Sequence, residues 1–156
     1  MKIIFSTLFF FFSFSALAQI NKINLSIDEL KDLPGNWTGN MVYTAEKSQV
    51  TFQSKLEIVD MKDSMILKFI HTDPEGKPLA GNYIMRINKD GNKLRFDSSE
   101  YDIVDIRRRG VRLEIIIERE GVDNYRSADF QQSIIIGPAT LNIVKRIRWT
   151  PTTSAA

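Results

Sequence analysis

Apolar and polar residues alternate along most of this chain with the two-residue period of a β-strand. Val50-Thr51-Phe52-Gln53-Ser54-Lys55-Leu56-Glu57-Ile58 places Val50, Phe52, Leu56 and Ile58 on one face. Val111, Leu113, Ile115 and Ile117 alternate with Arg112, Glu114, Ile116 and Glu118, and the pattern continues through Met65, Leu67, Phe69 and through Tyr83, Met85, Ile87. Later runs are Leu94–Phe96, Tyr101–Ile106, Phe130–Ile136 and Leu141–Trp149. Turn-forming stretches separate them: Asp60–Asp63, Asp73-Pro74-Glu75-Gly76, Lys89-Asp90-Gly91-Asn92, Arg109-Gly110, Glu120–Asn124 and Gly137-Pro138. Counted from Trp37, the pattern predicts about eight to ten short strands joined by short loops. Loops this short favour antiparallel hairpin order. Closure into a barrel removes exposed sheet edges. The expected fold is therefore all-β, an antiparallel up-and-down β-barrel.

Helical signals are few. Ser26-Ile27-Asp28-Glu29 is a capping box, with Leu25 and Leu30 placed as its hydrophobic staple. The spacing predicts one short N-terminal helix over Ser26–Leu33, stopped by Pro34-Gly35. Ahead of it, Lys2 is followed by an apolar run from Ile3 to Leu17 and by Ala16-Leu17-Ala18, the order of a cleaved signal peptide. The run is shorter than the roughly 20 apolar residues that span a bilayer. The expected organisation is a signal peptide at 1–18, one barrel domain at 19–150 and a flexible tail at 151–156. The mature protein is then secreted or periplasmic and keeps no integral membrane segment.

Composition narrows the classes further. Without its first 18 residues the 156-residue chain keeps 138, enough for one domain with its own core. It has no cysteine, so an exported form must be held by packing and backbone hydrogen bonds alone. Loss of Lys2 leaves 20 Lys+Arg against 19 Asp+Glu, a net charge of +1, which argues against nucleic acid as a partner. The run Arg107-Arg108-Arg109-Gly110-Val111-Arg112 reads as a solvated hairpin turn, its field cancelled by Asp102, Asp105, Glu114 and Glu118.

Leu33-Pro34-Gly35-Asn36-Trp37 follows the short helix and opens the first strand. This arrangement resembles the Gly-x-Trp signature of the lipocalins and related calycins. The resemblance implies that Gly35 and Trp37 are structural, with Trp37 on the barrel floor. It also implies that a basic residue of the last strand, Arg148 or Arg146, packs across the indole. A second lipocalin motif and a helix after the last strands are both missing, so the resemblance is lipocalin-like rather than lipocalin.

No constellation for catalysis stands out. His71 is the single histidine, at a strand end before Asp73-Pro74, with no serine or carboxylate at motif spacing. Neither a Gly-x-Ser-x-Gly elbow nor a glycine-rich phosphate loop occurs, and the acidic turns lack the oxygen density of calcium loops. The expectation is a non-enzyme without a cofactor or metal. The inward-facing set is apolar: Phe52, Leu56, Met65, Phe69, Tyr83, Met85 and Phe96 are the candidate ligand-binding residues. An eight-stranded barrel either fills itself or holds one small ligand. Two functions follow. The first is a carrier of a small hydrophobic molecule inside the barrel. The second is an interaction module with a packed core that binds a protein or envelope component. An internal void favours the carrier, and an outward apolar stripe near Ile66–Ile70 or Ile134–Ile136 favours the module.

Overall fold

The computed structural model describes residues 23–45 and 48–150, the side chains of 43–48 excepted. The expected signal peptide and tail lie outside the described residues. Nine strands follow one 3-10 turn at Ile27–Leu30. They are β1 (Gly35–Ala45), β2 (Ser48–Met61), β3 (Ser64–Thr72), β4 (Pro78–Ile87), β5 (Lys93–Phe96), β6 (Ser99–Arg109), β7 (Arg112–Asp123), β8 (Arg126–Gly137) and β9 (Thr140–Trp149). Each pairs antiparallel with the next, in the order β1 to β9, and together they form a nearly closed up-and-down barrel. The all-β antiparallel expectation holds, within its range of strand number.

Turn chemistry explains the hairpins. Asn124 and Tyr125 both have positive φ, 48° and 64°, the pair of left-handed residues that a tight two-residue hairpin requires. Arg109 and Arg112 flank Gly110-Val111 in the same way, so Val111 sits in the turn, 80% exposed, and β7 starts one residue later than the alternation suggests. A bulge between Ile103 and Asp105 resets β6, turning Val104 outward while Ile103 and Ile106 both face the core.

The expected helix is a single 3-10 turn. Its capping box forms: Asp28 N donates to Ser26 Oγ at 3.3 Å, and Ser26 N to Glu29 Oε2 at 3.0 Å. The backbone bonds that follow all span three residues, Glu29 to Ser26, Lys31 to Asp28 and Leu33 to Leu30. Pro34 disfavours the α conformation at Leu33, so the chain cannot add a turn. Tertiary contacts then hold the short form. Arg108 of β6 donates to both carboxylate oxygens of Glu29 and to the Asn24 carbonyl. This grip holds the Glu29 carboxyl below its ordinary range, chiefly through the Arg108 hydrogen bond.

The 3-10 turn lies at one end of the barrel, called lower here, with the β2–β3, β4–β5, β6–β7 and β8–β9 turns. Leu25, Leu30 and Leu33 are buried there among Ile58, Met65, Leu94, Ile103 and Ile115. The lower half is thus a packed core closed by three leucines. Among the described residues no helix is long and apolar enough to cross a membrane.

Candidate functional site

The barrel wall is not uniform in height. β5 has four residues, and only Met85, Arg86 and Ile87 of β4 pair with it. On its other side, Glu118 is the uppermost β7 residue paired with β6. Above that level β4 and β7 have no strand between them, and the β1–β9 seam is unpaired along its whole length. The upper interior therefore has two gaps in its wall, while the lower interior is filled by the buried core and the 3-10 segment.

The candidate ligand-binding residues divide along this line. Met65 and Met85 are cross-strand partners, 1% and 4% exposed, and Phe96 pairs with Met85. The Phe96 ring meets Tyr101 edge-on at 6.0 Å. These three belong to the filled lower part. Leu56 lies in register between Trp37 and Phe69, and Phe52 stands opposite Met41, all on the interior face. Phe69 stacks on Tyr83 at 5.3 Å and on His71 at 4.7 Å. Its ring occupies the space above Gly81, where a Cβ would stand 2.5 Å from Cζ. Tyr83 faces inward yet is 47% exposed, because no β5 residue lies beside it. The upper group of Phe52, Leu56, Phe69 and Tyr83 is an apolar wall that water reaches.

Several polar residues, Gln132 and Lys145 among them, also stand on the interior face, and two of them bear on the apolar wall. Ser54 sits between Phe52 and Leu56 on the interior parity of β2, opposite His71, and its Oγ lies 2.8 Å from His71 Nδ1. Adjacent strands create this pair across a sequence gap of 17, which no motif spacing reveals. The bond orients the imidazole on Phe69. Burial holds the His71 pKa below its ordinary 6.5. Arg119 is the second residue. It occupies an inward position of β7, above Ile117, and its guanidinium carbon lies 4.0 Å from the Phe130 ring centre.

As the single histidine, His71 gives an isolated resonance, and its titration by NMR is expected to fall below pH 6.5. The unfolded chain then binds the proton more readily. Stability should decline as pH falls from about 6.5 through the folded value, and His71→Gln should remove that component from the pH dependence of the urea midpoint. A midpoint at or above 6.5 would contradict the burial.

The structural residues stand as follows. Gly35 opens β1 with φ 138°, a conformation suited to glycine, opposite Ile58. Trp37 is half-buried against the core, and its Nε1 donates to the Leu33 carbonyl at 2.9 Å, tying the 3-10 segment to β1. Arg148 is placed elsewhere than the lipocalin resemblance implies. It is exposed, opposite Asp129, on the outer parity of β9, and Arg146 on that same parity reaches Gln131 at 3.5 Å. Neither makes a cation–π contact with Trp37 among the described residues. Trp37→Ala should lower the unfolding free energy by about 2–3 kcal/mol, below the range for a fully buried indole. Arg148→Ala should leave the urea midpoint unchanged; an equal loss in both variants would restore the expected packing.

Two concavities lie away from this interior wall. One, of about 270 Å³, lies at the lower end between Asn24–Ile27, Lys62-Asp63 and Ile87–Lys89. The other, about 430 Å³, is lined by Asn40, Thr51, Gln53 and the Thr72–Gly76 turn, on the outer face of β1 and β2. Neither includes a candidate ligand-binding residue. Among the described residues no group of three His, Asp or Glu side chains is placed to hold a metal ion. Compared with protein-family models, curated proteins and solved structures, the chain matches none.

Proposed function

We propose that this chain is an exported, lipocalin-like carrier that binds a small hydrophobic molecule, without covalent change, in the open upper part of its barrel. The observation that carries this reading is the division of the interior face. Below, it is packed and buried. Above, Phe52, Phe69 and Tyr83 are directed inward and remain open to water. Apolar side chains in that position gain by transferring their exposed area onto a ligand. Export is supported by Ala16-Leu17-Ala18 after the apolar run. The Gly35-Asn36-Trp37 opening in a nearly closed antiparallel barrel supports the lipocalin-like assignment.

Delipidated protein should show saturable binding of an environment-sensitive fatty-acid probe, weakened by Tyr83→Glu with the urea midpoint preserved. Absence of saturable binding across fatty acids, sterols and porphyrins would overturn the reading. The interaction module would then stand, and one feature favours it. Val59, Ile66 and Ile84 are cross-strand neighbours on the outer face of β2, β3 and β4, each half-buried, and Ile70 follows at 45% exposure.

A further inference from the structure

The upper interior holds a cation that no carboxylate among the described residues neutralises. Arg119 projects inward from β7 over Phe130, and its guanidinium carbon is also 5.2 Å from the Tyr101 ring centre. Its Nε is sealed from solvent and has no hydrogen-bond partner among the described residues. Its Nη1 makes one marginal bond, 3.4 Å to the neighbouring Glu120 carbonyl. No carboxylate pairs with it among the described residues. Lys145 of β9 adds a second positive charge on the same face, 5.4 Å from the Phe130 ring centre. The Tyr101 hydroxyl, on a side chain 4% exposed, accepts from Gln132 Nε2 at 3.1 Å and keeps its own proton to donate. Gly121, the next inward residue of β7, leaves room for the guanidinium, since a Cβ there would collide with Arg119 Nη1 and stand 3.4 Å from Arg119 Cζ.

A guanidinium with an unsatisfied, desolvated N–H is costly unless something bonds to it. Stacking on Phe130 satisfies the faces of the cation but none of its donors. An oxyanion does satisfy them, and bonds to a charged partner are the stronger kind. We propose that Arg119, assisted by the Tyr101 hydroxyl, anchors the anionic headgroup of a single-chain amphiphile, a carboxylate or a phosphate. The apolar chain then lies toward Phe69 and Tyr83 across the opening. This rests on the carrier reading and adds to it the class of ligand.

The test compares four twelve-carbon ligands on delipidated wild-type protein, by competition with the uncharged dye Nile red below their micelle concentrations. Laurate and dodecyl phosphate are expected to bind at least about tenfold more tightly than dodecanol, with dodecyltrimethylammonium weakest. Whichever anion binds more tightly identifies the headgroup. Arg119→Met should bring the anions down to the level of dodecanol without changing dodecanol itself, and Arg119→Lys should keep part of the preference. Equal binding of laurate and dodecanol by the wild type would overturn the anionic anchor and leave the carrier intact. This comparison needs no variant to fold. Binding of none of the four would overturn this inference and leave the carrier reading to be decided by sterols and porphyrins.

Discussion

Leu30→Ala is expected to lower the unfolding free energy by about 2–5 kcal/mol, the range for deleting a large aliphatic side chain from a packed interior. The 3-10 turn has four residues and three-residue backbone bonds, too little to be stable alone. What holds it is the burial of Leu30, 1% exposed, beside Leu25 and Leu33 at 2% and 4%. Shortening Leu30 leaves a cavity at the lower end of the barrel, where strands on every side prevent collapse. Urea unfolding followed by far-ultraviolet circular dichroism measures the loss. Val111→Ala, at a turn residue 80% exposed, should change stability by no more than about 0.5 kcal/mol. A loss below about 1 kcal/mol for Leu30→Ala would mean that the segment before β1 is an ornament on the barrel rather than its floor.

Gly91→Ala should be comparably harmful for a different reason. Gly91 has φ 68°, where a side chain costs about 1–2 kcal/mol. A Cβ there would also stand 2.6 Å from the Leu25 carbonyl oxygen and 2.8 Å from the Leu25 nitrogen. Both are backbone atoms and cannot swing aside. The Leu25 N–H donates to the Gly91 carbonyl at 2.7 Å, so relieving the clash breaks the bond that moors the leader, the described segment ahead of the 3-10 turn. The expected total is about 2–5 kcal/mol, strain and overpacking together. Gly110→Ala is the control. Gly110 has φ 59° but no atom within 4 Å of the added methyl, so it reports strain alone. If the two substitutions cost the same, the leader does not dock against the β4–β5 turn.

The Leu25–Leu33 floor was legible as a staple and a stop signal, but its form was not. The capping box at Ser26 and Glu29 predicts a helix start, and both of its bonds are present. The α-helix did not follow, since Pro34 disfavours the α conformation at Leu33, and the short form is held by a second partner of Glu29. Arg108 lies 79 residues away and reaches it only after β6 has formed. Local propensity contains no term for such a partner.

The candidate site shows the same division in finer detail. The inward parity of Met65, Phe69, Met85 and Phe96 follows from alternation, since side chains of a strand point to opposite faces in turn. Alternation also places Lys145, Ile147 and Trp149 inward and Arg148 outward. The lipocalin resemblance led the other way for Arg148, and the strand's own period is the better guide. Ser54 and Arg119 occupy inward positions too, but a polar residue on an apolar stripe reads as an interruption until its neighbours across the sheet are known.

By itself the sequence determined most of the strands and turns, their antiparallel order and, apart from Val111 and the β6 bulge, which residues share a face. These depend on a two-residue period and on turn chemistry, both local along the chain. Only the tertiary structure decided which part of the interior is filled and which is open. That outcome depends on register between strands distant in sequence and on the shortness of β5, which leaves Tyr83 and Arg119 above the sealed part of the wall. It also decided that Arg119 meets Phe130 and Tyr101 instead of a carboxylate. An ion pair or a stack forms by proximity in space, and side-chain energies of this kind are not written in the order of residues along one strand.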